Sequence, residues 1–221
     1  VMLDIRQTDK PAIRCLTYPG IVAGNGPMMN EAGLLMSSNF IGSTNVRQAG
    51  IPRYLLARGM LASRSIDEAL ALARHPQRAY AFNFNLGSVK AKRLVSVELT
   101  AFQHSLVEID GWFVHTNHLV HPSMAALPQD QQYVQTSSMP RFRTLSALVS
   151  RQQSAPPDAK TLIAMLASHQ SSNPPYAPCR HPTKQVDGST LACAVFDVVG
   201  GTYWLAPGKP CQARGEMVMK M

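Results

Sequence analysis

The sequence predicts an α+β fold, in which strands precede helices and strands return at the end. Three observations carry this. A run of β-type segments fills the middle of the chain, from Tyr80 to Val114. Two helical stretches follow, over Met139–Gln153 and Asp158–His169. A last pair of strands, Thr190–Val198 and Thr202–Ala206, is joined by Gly200-Gly201, a dipeptide suited to a tight hairpin. No parallel β-α-β alternation is visible.

In chain order, residues 12–18 read as a strand closed by Pro19-Gly20. Gly24-Asn-Gly-Pro27 is a loop, because two glycines and a proline sustain neither helix nor strand. Gly33-Leu-Leu-Met-Ser-Ser-Asn39 reads as a buried strand that ends in polar residues. Tyr54, Leu55, Arg58, Met60 and Leu61 recur near helical spacing and predict a helix from about Ile51 to Ala62. The next begins at Ser65-Ile-Asp-Glu68, a capping box, with Ile66, Ala69, Leu70, Leu72 and Ala73 as its apolar face.

Tyr80–Leu86 alternates in polarity, and Arg93–Thr100 places Val95, Val97 and Leu99 on one face. Asp110-Gly111 tolerates positive φ and is expected to join two more strands in an antiparallel meander. Ser154-Ala-Pro-Pro157 separates the two later helices, with Asp158 as cap of the second. Asn173-Pro-Pro-Tyr-Ala-Pro178 is a rigid loop. With no internal repeat and no long linker, one domain over residues 1–221 is expected.

Composition narrows the function classes. At 221 residues and 45% hydrophobic content the chain can bury a sizeable core. Charged residues make up 15%, too few for disorder driven by charge. No apolar run approaches the roughly 18 residues that a membrane span needs. The formal charge of +8 favours anionic partners, with Lys90, Lys92 and Arg93 in one cluster and Arg141 and Arg143 in another. No recognised nucleic-acid motif accompanies that charge, so a small anionic substrate or a solvated basic face is expected instead. Cys15, Cys179, Cys193 and Cys211 show no Cys-x-x-Cys pair and read as reduced, packed thiols in a cytoplasmic protein.

The most informative stretch is Asp110-Gly-Trp-Phe-Val-His-Thr-Asn-His-Leu119, a turn, a short apolar segment and a polar cluster. Asn117 offers a neutral amide N–H suited to a developing oxyanion. His115, His118 and His121 recur every third residue, but in a strand-to-loop context ending at Pro122 they do not align as metal ligands. No metal and no organic cofactor are expected.

Collinear with that stretch lie Thr17-Tyr-Pro-Gly20, Met29-Asn-Glu-Ala-Gly-Leu34 with Asn39, Cys179-Arg-His181, Ser189-Thr-Leu191 and Gly208-Lys-Pro-Cys211. This order resembles the acyl-coenzyme A:6-aminopenicillanic acid acyltransferase-like family, the C45-type N-terminal nucleophile hydrolases. The Asn-Glu-x-Gly-Leu segment is shared with the related choloylglycine hydrolases. The resemblance runs from about Thr17 to Cys211 and implies a four-layer αββα sandwich with two stacked, mainly antiparallel sheets.

It further implies a cysteine nucleophile, exposed by autoproteolysis, that attacks an amide or thioester carbonyl and forms an acyl-enzyme. Asn39 and Asn117 would line the oxyanion hole, and Arg180, Ser189 and Thr190 would meet the substrate. In the family that cysteine precedes the match to Thr17-Tyr-Pro-Gly20, whereas this chain opens Val1-Met-Leu-Asp-Ile5. The expectation is therefore a companion segment or chain that carries the cysteine. The alternatives are a non-catalytic binding protein on the same fold, and Cys15 as a nucleophile freed by cleavage after Arg14. Cys15 sits within an apolar strand pattern, which argues against it.

Overall fold

A computed structural model describes residues 1–152, 157–184, 186–213 and 217–220. The predicted break at 154–157 lies almost wholly outside them. Seven strands form one antiparallel meander in sequence order: β1 (Met2–Ile5), β2 (Ile13–Leu16), β3 (Met28–Asn30), β4 (Leu34–Phe40), β5 (Phe82–Ser88), β6 (Arg93–Leu99) and β7 (His104–Glu108). A second, three-stranded sheet holds β8 (Ala192–Asp197), β9 (Thr202–Pro207) and β10 (Met217–Lys220), with β9 in the centre.

The Leu34-Leu35-Met36 run is continuously apolar because both of its faces are covered. Leu34 and Met36 join Phe84, Val95, Val97 and Leu99 under helices α1 (Arg53–Leu61) and α2 (Ile66–Ala73). Leu35 points the other way and packs with Met29 of the neighbouring β3 and with Tyr203 and Leu205 of the facing sheet. The outer face of the small sheet, through Cys193, Val195 and Ala206, packs on Ile163 of α5 (Ala159–Leu166). The order is thus helices, large sheet, small sheet, helix: an αββα sandwich. Each fully buried aliphatic side chain in these layers contributes about 1.5–3 kcal/mol.

Local signals hold at most ends. Ser65 Oγ accepts from Glu68 N at 3.2 Å and caps α2. The return bond goes from Arg64 N to Glu68 Oε2 at 2.8 Å, one residue earlier than a standard capping box. Asp158 caps α5 by accepting from Thr161 N at 2.8 Å. Leu72 is 39% exposed rather than part of the apolar face. It lies about 120° around the helix from the stripe that buries Ile66, Ala69, Leu70 and Ala73.

Two further expectations fail. No strand follows Asp110-Gly111: Ile109 N still bonds Leu94 O at 2.9 Å, Gly111 turns with φ of 81°, and the chain then leaves the sheet. Its next residues are drawn instead to a carboxylate on β6, described below. The helix expected from Met139 starts earlier, at an Asp130 cap. It runs through α3 (Gln131–Tyr133), a π-helical turn (Val134–Ser138) and α4 (Met139–Val149).

Tyr203 lies between the sheets, 1% exposed, and its hydroxyl has no hydrogen-bond partner among the described residues. An unpaired buried hydroxyl is destabilising. Tyr203→Phe is therefore expected to stabilise the protein by about 1 kcal/mol, raising Tm by roughly 2–4 °C. A Tm that falls in a thermal melt would count against this packing.

Candidate active site

The site is built around one buried acid. Glu98 lies on the face of β6 opposite Val95, Val97 and Leu99, and is 0% exposed. Its Oε1 accepts from Val120 N at 2.6 Å, and its Oε2 accepts from His121 N at 3.1 Å. His115 Nε2 stands 2.9 Å from Oε1. Both ends of the 115–121 loop are thereby held against the large sheet. A buried carboxylate is tolerated only when its lone pairs are engaged in this way.

The middle of that loop is held from the other side by Ser138, at the end of the π-helical turn. Ser138 Oγ accepts from Asn117 N at 2.7 Å and lies 2.7 Å from His118 Nδ1 and 2.9 Å from Thr116 Oγ1. The extra residue of a π turn re-aims side chains locally, which is why such turns recur at functional sites. Ser137, its neighbour, accepts from Arg141 Nε through its backbone oxygen at 3.1 Å.

These restraints fix two carboxamides. Asn117 Nδ2 donates to Phe40 O at 2.8 Å, and Asn39 Nδ2 donates to Thr116 O at 2.5 Å. The end of β4 and the loop are thus cross-stitched by the two asparagines. Each amide NH₂ has two hydrogens, so each asparagine retains one N–H beyond these bonds. Arg141 Nη2 donates to Asn117 Oδ1 at 2.8 Å, which sets the amide's orientation. Burial pulls the Arg141 guanidinium below its ordinary value.

Asn39, Asn117 and Arg141 line one cavity of about 430 Å³, together with Thr17, Asn25, Ser189 and Thr190. Four of the five site residues read from the sequence are therefore gathered around a single space. The fifth, Arg180, does not line it. Its backbone clamps Thr190, with Arg180 N donating to Thr190 Oγ1 at 2.9 Å and Thr190 N to Arg180 O at 3.0 Å. Its guanidinium stacks 5.3 Å from the Tyr176 ring. Thr17 Oγ1, within the cavity wall, is buried without a hydrogen-bond partner among the described residues.

Arg141 was noted in the sequence only as half of a basic cluster. The signal that singles it out is Ser137-Ser138 four and three residues earlier, two small polar residues that the structure buries.

None of the four cysteines lines this cavity. Cys15 is fully buried among core residues under α1 and α2, and Cys193 faces α5. Cys179 is buried, but Cys211 is exposed, contrary to the packed thiol expected there. The three histidines of the loop have separate partners: Glu98 for His115, Ser138 for His118, and Ser96 Oγ for His121 at 3.0 Å.

Burial pushes the His118 imidazole down to about 4, with His115 adding to the effect, and burial also lowers His121. In the unfolded chain both titrate near 6.5. Between about pH 6.5 and 4 the unfolded state therefore binds protons that the folded state refuses, so stability falls as pH drops through that window. The loss from His118 is on the order of 2 kcal/mol. Urea midpoints are expected to decline below about pH 6.5, with a shallower decline in His118→Gln; equal pH dependence in the two proteins would refute this account of the loop.

The geometry has relatives. No curated protein sequence matches the chain. Among solved structures, two variants of conjugated bile acid hydrolase from Clostridium perfringens superpose with TM-scores of 0.60 and 0.61 at 12% and 13% identity. Each comparison covers 96% of this chain and 77% of the other. Penicillin V acylase from Agrobacterium tumefaciens gives a TM-score of 0.57 at 12% identity, over 98% of this chain and 72% of that one. At such identities the likeness establishes the fold. The family model for acyl-coenzyme A:6-aminopenicillanic acid acyl-transferase matches residues 5–212, so the chain belongs to that family of acyl-transferring enzymes.

Proposed function

We propose that this chain forms the pocket of a cysteine-dependent amidohydrolase or acyltransferase of the N-terminal nucleophile type. The observation that carries the reading is the convergence of Asn39 and Asn117 on one cavity wall, each with an amide N–H to spare. A cysteine thiolate attacks the carbonyl of a small-molecule amide or thioester. The carbonyl π electrons move onto oxygen, and the two carboxamides hold that oxyanion. The α-amino group of that cysteine, which took the thiol proton, passes it to the departing nitrogen or sulfur. Collapse thus breaks the C–N or C–S bond, expels a neutral amine or thiol and leaves a thioester acyl-enzyme. Water or an amine then takes the acyl group and the thiolate is restored.

Neutral amides suit the task because they donate without titrating. Arg141 keeps Asn117 aimed and adds positive charge beside the developing oxyanion. Ser189 and Thr190 meet the substrate with hydroxyls, and Arg180 acts through Thr190 by holding its backbone. Since no cysteine of this chain reaches the cavity, the thiol is assigned to a companion segment or chain matured by autoproteolysis. The unpaired Thr17 hydroxyl is a natural partner for that segment or for the substrate.

Amino-terminal sequencing and intact mass of the purified protein test this directly. A cysteine-headed segment that is acylated by an amide or thioester substrate is expected. In that protein, Asn117→Ala and Asn39→Ala are each expected to lower kcat on the order of 100- to 1000-fold. Absence of any such cysteine would leave the competing reading, a binding protein on this fold, whereas near-normal kcat in both variants would overturn the assignment of the two asparagines to the oxyanion.

A further inference from the structure

A second cluster of reactive side chains stands apart from the cavity. It is assembled from three segments. Cys179 N donates to Ser168 O at 3.0 Å, which brings the proline-rich loop against the residues that follow α5, including His169. Residues two apart in an extended stretch share a face, so Cys179 and His181 project together while Arg180 turns the other way. Cys211 comes from a short 3₁₀ turn, Pro210–Gln212, after β9.

The distances are those of a ligand shell. Cys179 Sγ and Cys211 Sγ are 3.5 Å apart, and His181 Nε2 lies 3.2 Å from Cys211 Sγ and 3.7 Å from Cys179 Sγ. With His169 included, one ligand atom from each residue falls within 4.8 Å of all the others. Tetrahedral zinc, with bonds of about 2.3 Å to sulfur and about 2.0–2.1 Å to nitrogen, sets its ligand atoms roughly 3.4–3.8 Å apart. Three of the four atoms nearly meet that condition. The exposed His169 has to shift by about 1 Å to complete it.

We propose that His169, Cys179, His181 and Cys211 form a structural zinc site. Two soft sulfurs and two imidazoles select zinc over hard, oxygen-seeking cations. Binding converts two thiols to thiolates and releases two protons to solvent, so the dication and its ligands together carry no net charge. Four protein ligands leave no open position, which marks the site as structural rather than catalytic. A disulfide is the competing fate of the sulfur pair. It requires an oxidant and an S–S bond of about 2.05 Å, well short of the observed separation.

The consequence is local and concrete. The ion would pin the segment after α5 to the turn after β9. Arg180 lies between two of the ligands, and its backbone holds Thr190 in the cavity wall. The site rests on its own geometry and stands whether or not the cavity is catalytic.

Metal analysis of the full chain, produced with zinc in the medium and desalted, is the test. About one zinc per chain is expected. Cobalt titration of the chelator-stripped protein is expected to give the thiolate-to-metal charge-transfer and d–d bands of a tetrahedral thiolate site. Cys211→Ser, a small change at an exposed turn, and His181→Ala are each expected to lower zinc occupancy at least about ten-fold. The wild-type stoichiometry and cobalt spectrum decide the matter even if a variant does not fold. Metal-free protein without the cobalt bands, or a Cys179–Cys211 disulfide in the protein as purified, would overturn the assignment.

Discussion

The arrangement of the cavity depends on Glu98. A fully buried carboxylate is costly to desolvate, and this one is offset by three contacts from a single loop: His115, Val120 N and His121 N. That dependence runs both ways. The acid needs the loop, and the loop, which has no ladder partners after Gly111, needs the acid to satisfy its backbone. Polar side chains on the same face of β5 and β6, such as Asn83 bonded to Ser96, extend this polar floor under the loop. The rest of the site follows from where the loop is forced to lie.

From there the control passes to the π-helical turn. Ser138 reaches three loop residues, and the same turn carries the backbone that orients Arg141. An uninterrupted α-helix would rotate these groups out of register by part of a turn. Asn117 is consequently held at its N–H, its Nδ2 and its Oδ1 by three different parts of the chain. Such over-determination is what a preorganised donor requires, since a donor that must reorient gives back much of its electrostatic benefit. Another part of the cavity wall has a different support, because Thr190 is positioned by the backbone of Arg180, in the loop that ends in Cys179-Arg180-His181.

Much of the scaffold was legible in the sequence because it rests on short-range signals. The period-two pattern of Arg93–Leu99, the Ser65 and Asp158 caps and the Gly200-Gly201 hairpin each act within a few residues. The apolar run at Leu34–Met36 likewise read as a buried strand, and the structure covers both of its faces. β1, β3 and β10 were not read, since strands of three or four residues carry little pattern of their own; β2, equally short, was legible because Pro19-Gly20 closes it. The strand expected after Asp110-Gly111 failed for a related reason: a turn dipeptide specifies the bend, while the destination of the outgoing chain is set by distant partners.

For the site, the sequence alone determined the residue types: an asparagine at the end of a strand and another after Asp110-Gly111, hydroxyls at Ser189 and Thr190, and an arginine near Cys179. Tertiary structure decided which of them share a space. It drew in Arg141 from a helix 24 residues beyond Asn117 and set Arg180 behind the wall it supports. It also brought His169, Cys179, His181 and Cys211 within 4.8 Å of one another, although no local spacing announces such a set. The physical reason is common to both cases. Periodicity and capping report interactions between residues close in the chain, whereas a cavity and a ligand shell are made of contacts whose energies depend only on distance in space.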